Sequence, residues 1–541
     1  MRKISIYETS ILLLGIILSI MSAAICMQIM GQFGTSPNTS LIGAVLVMVV
    51  ARIPLSFAKK FRNLERQNYV LSMASASGFA AANCGFVAIA TMFILGRNDL
   101  IIPMAFGTLI GSMISVFVVG KIFGSRIFPA EGEWPTGEAI ATSLQAGDEG
   151  GKKGFHLLQG LIVGAIAGFF GVPAAGVGIA FIANMVAMAA LGIGMILRGY
   201  SPYILGFDIG TSNIAQGVMI GAGIVAFVQI FFTLGKKEKA AAPLPAGGAK
   251  EAKAEFISAG AAGALRQRRN SGAEPHLIEN KITLRTFASS VGLFICGAVA
   301  IALVMGIFSE MGLWQSVAWV VFAGIASVVV MVLVGTATMH SGWGPTFAVV
   351  TICLTVGLLV GFPPLPLAVL VGYLGSVGPC MMDTSVGLKA GWVIRGKGVN
   401  KENETHGRKQ QVMIKQLGII IGIAMAVAFG VILVQGDIIP PMSIFYADTV
   451  ASTPSPALLR ELAMWAIPGA ILQAAFGNRS AGLMLASGLL INNPIFGISV
   501  LVAIIARLVF GTKHMSIRAP GLIAGDGLFG FGESIFRAFW G

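Results

Sequence analysis

Nearly charge-free runs of about twenty residues recur along this chain, and they decide what it can fold into. Residues 100–119 and 290–308 are two examples. A helix of about 20 apolar residues spans the hydrocarbon core of a bilayer. Of the 541 residues, 56% are hydrophobic and only 11% are charged, whereas a soluble domain carries about a quarter charged residues. The sequence therefore predicts an all-α polytopic membrane protein.

The hydrophobic pattern occurs twice. Eight apolar segments, with a charged loop after the fourth, occupy residues 8–234, and the same layout returns over 286–512. We therefore predict about 16 transmembrane segments in two pseudo-repeats, at 1–234 and 286–512. The polar residues 235–285 are too poor in apolar side chains to fold alone and predict a flexible cytoplasmic linker. Residues 513–541 are expected to form a cytoplasmic or interfacial tail.

Two apolar stretches are too long for one membrane helix. Residues 203–233 would form a helix of about 46 Å at 1.5 Å per residue, well beyond the ~30 Å hydrocarbon core. The stretch contains a polar sequence at 210–217, and the second stretch, 481–511, contains Asn492-Asn493-Pro494. Both patterns predict broken or re-entrant segments.

The basic residues cluster in alternate loops, which is the positive-inside pattern. One cluster lies between Arg52 and Arg66, a second in the linker, and a third between Lys389 and Lys409. This distribution predicts that both termini are cytoplasmic and that the two repeats run parallel. It also explains the net charge of +13 by membrane orientation, so we expect no nucleic-acid partner.

Several other classes of protein lack their sequence signatures here. The five cysteines form no Cys-x-x-Cys pair, so neither a disulfide framework nor a resident metal site is predicted. No Gly-x-x-x-x-Gly-Lys-Ser/Thr phosphate loop of a primary pump occurs. An intramembrane aspartyl protease requires Gly-x-Gly-Asp, but Asp526 follows Ile523-Ala524-Gly525. We therefore predict no enzyme and no cofactor.

Loop motifs resemble those of the oligopeptide transporter (OPT) superfamily, in particular its prokaryotic and yellow-stripe-like branches. Glu133-Trp-Pro-Thr-Gly-Glu-Ala-Ile-Ala-Thr-Ser-Leu-Gln-Ala-Gly-Asp148 is similar to the family segment (F/W)PSGTATAEVLKAG. Asp383-Thr-Ser-Val-Gly-Leu-Lys-Ala-Gly-Trp392 and the segment from Arg408 to Gly418 resemble QDLKTGYLLGASPRKQ…QLIG. The ending Gly521-Leu-Ile-Ala-Gly-Asp-Gly-Leu528 is similar to GLIAGEGL.

The resemblance implies about 16 transmembrane helices and secondary active uptake. It further implies a cargo of small peptides, or of metal ions held by peptide-like chelators, usually with proton symport. One position departs from the family pattern. The acidic residue of the family's AEVL falls on Thr142, while Glu138 occupies a position that is usually Thr. This difference puts the family's coupling or selectivity in doubt for this chain.

Ionisable and polar groups inside apolar segments are costly, so each is a candidate functional group. Each candidate also has a purely structural explanation. Asp383 could form an ion pair with Lys389, and Glu138 could stabilise the start of a helix. The asparagines could cap helices. The predicted substrate-binding residues are Asp208, Asn213, Gln216, Asn492, Asn493 and Asp383. The predicted proton-coupling residues are Glu138, Asp208 and Asp383.

These features together predict a proton-coupled symporter in the cytoplasmic membrane of a prokaryote, working by alternating access. A passive channel is the alternative, since repeats and broken helices also build pores. The sequence does not choose between a peptide and a metal chelate as cargo. It also leaves open whether the chain forms a homo-oligomer.

Overall fold

The computed structural model describes residues 5–33, 58–125, 127–149, 151–235, 280–342, 344–451, 456–476, 480–512 and 517–540, together with residues 43, 44, 47 and 515. The regular elements in this part of the chain are helical. Its α-helices are α1 (Thr9–Phe33), α2 (Leu64–Ile94), α3 (Ile101–Ile122), α4 (Pro135–Glu149), α5 (Gly151–Phe169), α6 (Ala174–Ile182), α7 (Met185–Ile204), α8 (Ile214–Gly235), α9 (Asn280–Val304), α10 (Leu313–Ser341), α11 (Thr346–Val360), α12 (Pro364–Ile394), α13 (Lys401–Gln435), α14 (Pro441–Ala451), α15 (Pro456–Phe476), α16 (Ala481–Leu490), α17 (Pro494–Phe510) and α18 (Arg518–Trp540).

The helices confirm the predicted class. Within the described residues, 8 helices are long and apolar enough to cross a membrane, and four shorter apolar helices accompany them. The predicted segment near 40–57 lies almost entirely outside the described residues, and so does most of the predicted linker, from residue 236 to residue 279.

Two predicted cytoplasmic loops are largely helical. The charged loop predicted after the fourth segment of the first half, at residues 124–154, contains α4. Its equivalent in the second half, at residues 386–411, contains the end of α12 and the start of α13. Their polar residues suggested exposure to water. Lys389 and Arg395 are instead buried, with their charged groups held by partners inside the protein. A buried charge that is paired and hydrogen-bonded is compatible with a helix in the protein interior.

The internal repeat has a spacing of about 305 residues. Helix α5 begins at Gly151 and α15 at Pro456, and α4 and α14 begin at Pro135 and Pro441. The same spacing matches α1 with α10, α2 with α12, α3 with α13, and α6, α7 and α8 with α16, α17 and α18. The second repeat therefore starts at Leu313, and the predicted tail is α18, the counterpart of α8. Helix α9 has no counterpart at this spacing, and the predicted boundaries at 1–234 and 286–512 stay predictions.

Corresponding helices run antiparallel where they touch. In the α2–α12 pair, Ser75 bonds Asp383, and Cys84, farther along α2, faces Ser376, earlier on α12. The α3–α13 pair is also antiparallel, because Arg408 bonds the carbonyl oxygen of Phe123 and Val412 faces Gly120. The contacts between α7 and α17 follow the same order, with Gly192 near Leu501 and Gly199 near Pro494.

Antiparallel counterparts indicate inverted repeats, whereas the loop charges predicted parallel ones. Helix α9 lies between the two repeats and adds one membrane crossing. This extra crossing reverses the direction of the second repeat. Helix α18 packs parallel to α5, with Gly521 near Leu157 and Gly525 near Leu161. The predicted placement of both termini on one side of the membrane stays a prediction.

Glycines let helices of the two repeats approach backbone to backbone. A Cβ atom at Gly521 or Gly525 of α18 would collide with the carbonyl oxygens of Leu157 and Leu161 on α5. The equivalent pair, α8 and α15, has the same contact, because a Cβ atom at Gly221 would strike the carbonyl oxygen of Ala466. Small residues at such spacing are typical of tightly packed membrane helices. Each repeat is thus completed by a helix of the other.

Candidate functional site

A cavity of about 500 Å³ lies between elements of the two repeats. Its wall includes the loop between α5 and α6, the start of α17 and the middle of α18. Most of the lining is apolar side chain or glycine. Sites for small molecules are commonly 300–1,000 Å³ in volume, with a few polar groups on an apolar wall. The polar lining residues are Asn83, Thr346, Asn493, Asp526 and Glu533.

Asn493 lies at the predicted break between α16 and α17. Its side chain accepts a hydrogen bond from the backbone N–H of Phe496 at 3.0 Å, and Pro494 begins the helix. Asparagine at the N-cap followed by proline at the first helical position is a strong helix-start combination. The break confirms the interruption predicted in residues 481–511. Asn493 also lines the cavity, whereas its exposed neighbour Asn492 is not part of the lining.

The first repeat has an equivalent break that the sequence analysis missed. Asn184 separates α6 from α7 and accepts hydrogen bonds from the backbone N–H groups of Val186 and Ala187, at 3.0 and 3.3 Å. The signal was present as Ile182-Ala-Asn-Met185, which resembles Ile491-Asn-Asn-Pro494. The second Asn and the Pro made the later copy easier to find.

Arg507 on α17 satisfies the backbone at the end of α6. Its Nη1 donates to the carbonyl oxygens of Ala180 and Ala183 at 2.9 and 2.6 Å. The last carbonyls of a helix have no partner within that helix, and non-helical backbone at membrane depth persists only where it is satisfied by protein or water. A side chain of one repeat thus stabilises the broken helix of the other.

Asp526 contributes a carboxylate to the cavity from the middle of α18. Its Oδ2 accepts a hydrogen bond from the backbone N–H of Ala175, in the first turn of α6, at 2.8 Å. Its Oδ1 lies over Gly168, near the end of α5, where a Cβ atom would approach that oxygen to 2.9 Å. Gly168 and Ala175 also line the cavity. The sequence singled out Asp526 as an intramembrane acid but gave it no role in binding.

Three predicted substrate-binding residues lie around the turn between α7 and α8, and none of them lines the cavity. Asp208 forms an ion pair with Arg198 and accepts a hydrogen bond from the backbone N–H of Gly210 at 2.9 Å. Asn213 donates to Glu461 of α15 at 3.0 Å. Gln216 is buried, and its Oε1 has no hydrogen-bond partner among the described residues. Asn493 lines the cavity and these three residues do not.

Asp383 is buried between the repeats and pairs with Lys415 instead of Lys389. The Lys415 ammonium lies 2.5 Å from Asp383 Oδ2, and Ser75 of the first repeat donates a hydrogen bond to Oδ1. Asp383 and Lys389 are six residues apart on one helix, and only residues three or four apart are neighbours on a helix face. Met382, beside Asp383, lines the cavity.

Glu138 pairs with Lys389, which the sequence analysis had considered as the partner of Asp383. Lys389 Nζ lies 3.2 Å from Glu138 Oε1 and donates to the carbonyl oxygens of Ala130 and Gly132 at 3.0 and 2.9 Å. The Lys389 side chain is 1% exposed and that of Glu138 54% exposed. This group fixes the segment before α4 against the end of α12. In the described part of the chain, no three His, Cys, Asp or Glu residues are grouped to hold a metal ion.

Comparison with known proteins gives one family. The profile of the family described as OPT oligopeptide transporter protein matches residues 9–235. These bounds coincide with the start of α1 and the end of α8, so the match covers the first repeat. No curated protein matches the chain. The match agrees with the resemblance of the loop motif at Glu133–Asp148, and residues 9–235 are similar to the OPT oligopeptide transporter family.

Proposed function

We propose that the chain is a secondary active transporter that carries small oligopeptides, or peptide-like metal chelates, across the cytoplasmic membrane together with protons. The observation that carries the proposal is the cavity between two inverted repeats, beside the broken helices. Inverted-repeat transporters hold their cargo between the repeats and expose it to one side at a time as the repeats rock. The proposal includes no catalytic step and no nucleic acid, and it leaves assembly into a homo-oligomer open.

The cytoplasmic end of the bundle follows from the basic residues. Arg66 pairs with Glu8 at 2.9 Å, and the backbone N–H of Ile6 donates to Gln410, so the starts of α1, α2 and α13 share one end. The basic stretches around Lys60 and Arg408 belong to this end. By the positive-inside rule this end is cytoplasmic. We therefore place the N-terminus in the cytoplasm. Helix α8 leads into the predicted cytoplasmic linker and α18 is its inverted counterpart, so we place the C-terminus outside.

A protease-cleavable tag at each terminus tests this orientation. In intact spheroplasts, added protease is expected to remove a C-terminal tag and to spare an N-terminal one. After permeabilisation both tags are removed, which is the control for cleavage. Protection of both tags in intact spheroplasts contradicts the inverted arrangement and restores the parallel one.

Asp383 is the carboxylate that we assign to proton coupling. It is buried, lies between helices of both repeats and neighbours a residue of the cavity wall. Protonation would remove its charge and weaken the pair with Lys415, which loosens α12 from α13. Glu138 and Asp208 remain alternative proton carriers, each beside a cation. Asn493 is our assigned cargo contact among the predicted residues, with Asp208, Asn213, Gln216 and Asn492 as more distant candidates.

Uptake into proteoliposomes tests the proposal with labelled di- to tetrapeptides and, separately, an iron chelate. Under an inward proton gradient, wild-type protein is expected to accumulate one of these cargos until a protonophore is added. The double variant Asp383→Asn, Lys415→Gln removes both charges, so neither is left unpaired. We expect it to exchange cargo across the membrane without accumulating it.

Glu310→Gln is the matched control for this variant, because Glu310 is an exposed residue between α9 and α10. It is expected to accumulate cargo like wild type. Normal accumulation by the double variant removes Asp383 from coupling. Cargo that only equilibrates across wild-type proteoliposomes, whatever the gradient, supports the passive channel instead.

A further inference from the structure

The charges of the cavity wall are all of one sign. Asp526 and Glu533 are its acidic residues, and no lysine, arginine or histidine is among the described residues that line it. The remaining polar side chains, Asn83, Thr346 and Asn493, are neutral. A wall of this kind attracts positively charged groups and repels anions.

The basic side chains that come close to this region bind other groups. Arg507 donates to backbone carbonyls at the end of α6. Lys415 pairs with Asp383. Arg518, at the start of α18, bonds Gln159 and His156 of α5. In the part of the chain that the structure describes, Asp526 forms no ion pair with any of them.

The hydrogen bonding of Asp526 leaves one side of its carboxylate available for cargo. The bond from Ala175 uses Oδ2. Gly168, which faces Oδ1, presents no side chain to cover it. A carboxylate in an apolar, membrane-embedded wall is costly without a counter-charge, and a cationic group of the cargo supplies one through a charge-assisted hydrogen bond.

We propose that the cavity selects peptides by a positively charged amino group, and that Asp526 binds the free α-ammonium group of the cargo. This inference rests on the proposed function and narrows its cargo to peptides with an unblocked N-terminus. The peptide carboxylate makes no comparable contact, because the described wall offers it no cation. Asp526 binds cargo and Asp383 carries the proton, so both can be taken up in the same cycle.

Equilibrium binding to protein in nanodiscs, without any gradient, tests the inference with three peptides. We expect trialanine and its C-terminal amide to bind with similar affinity. N-acetyl-trialanine, which has lost the amino charge, is expected to bind at least tenfold more weakly. This comparison uses wild-type protein, so it does not depend on the folding of a variant.

Asp526→Asn assigns the effect to one residue. The variant keeps the size of the side chain and an oxygen that can accept the bond from Ala175. It is expected to bind trialanine about tenfold more weakly and N-acetyl-trialanine no more weakly than wild type does, because the two changes remove the same interaction. Glu310→Gln serves as the control that keeps both affinities.

The outcomes separate the two proposals. Equal binding of trialanine and its N-acetyl form overturns the charge selection, even if peptide uptake is proton-driven. An undiminished effect of acetylation in Asp526→Asn overturns the assignment to Asp526. Failure of all three peptides to bind overturns peptide transport itself, and the selection with it.

Discussion

Replacing Asp383 with alanine is expected to lower the free energy of unfolding by about 3–5 kcal/mol. The substitution leaves the Lys415 ammonium buried in the protein interior without its carboxylate, which lies 2.5 Å away. Removing one partner of a buried pair is far more costly than removing both, because the remaining charge stays desolvated. Thermal unfolding of the purified protein in detergent measures the loss as a lower Tm.

The double variant Asp383→Ala, Lys415→Met gives the expected recovery. It should regain most of the lost stability, since no charge is left unpaired. The exposed pair of Glu149 and Lys153 is the matched control, because its side chains are 54% and 51% exposed. There Glu149→Ala should cost at most about 0.5 kcal/mol. If Asp383→Ala and Glu149→Ala unfold at the same temperature, Lys415 is not held by Asp383.

Gly525→Leu is expected to destabilise the protein by about 3 kcal/mol or more, at the upper end of the cost of overpacking a core. The new side chain would meet the carbonyl oxygen of Leu161, so α5 and α18 must separate. Backbone atoms cannot relieve this contact by a change of rotamer, as a side chain can. Thermal unfolding, with yield of the monodisperse protein as a second readout, measures the effect.

Gly532→Leu on the same helix is the control for this substitution, because no atom of the described residues lies within 4 Å of the Cβ that it adds. It should leave the unfolding temperature nearly unchanged. Gly221→Leu, at the equivalent contact of α8 with α15, is expected to destabilise as strongly as Gly525→Leu. A large effect of one and none of the other would contradict the equivalence of the two helix pairs.

The fold class could be predicted from the sequence because membrane-spanning helices follow from local composition. The break at Asn493 was found for the same reason, since asparagine and proline interrupt an apolar run within a few residues. The direction of the second repeat was not found. It depends on whether α18 counts as a helix of the bundle, and residues 513–541 were predicted to be a tail.

The candidate site was predicted only in part, because its residues come from helices far apart in the chain. Asp526 reaches the cavity beside Ala175, 351 residues earlier. The partner of Asp383 is Lys415 on the next long helix, and the nearer Lys389 is bound to Glu138. Such pairings depend on how helices pack. Asp208 shows the converse, since its partners Arg198 and Gly210 are near it in the sequence. Asn213, in the same polar break, binds Glu461 of α15.

The exchange of helices between the repeats has a consequence for how the protein is made. Helix α5 leaves the ribosome about 350 residues before its partner α18, which takes about 18–70 s at 5–20 residues per second. During that interval the glycine face of α5 has only lipid or the insertion machinery against it. The packing of the first repeat therefore stays incomplete in the membrane until α18, the last helix, has been synthesised.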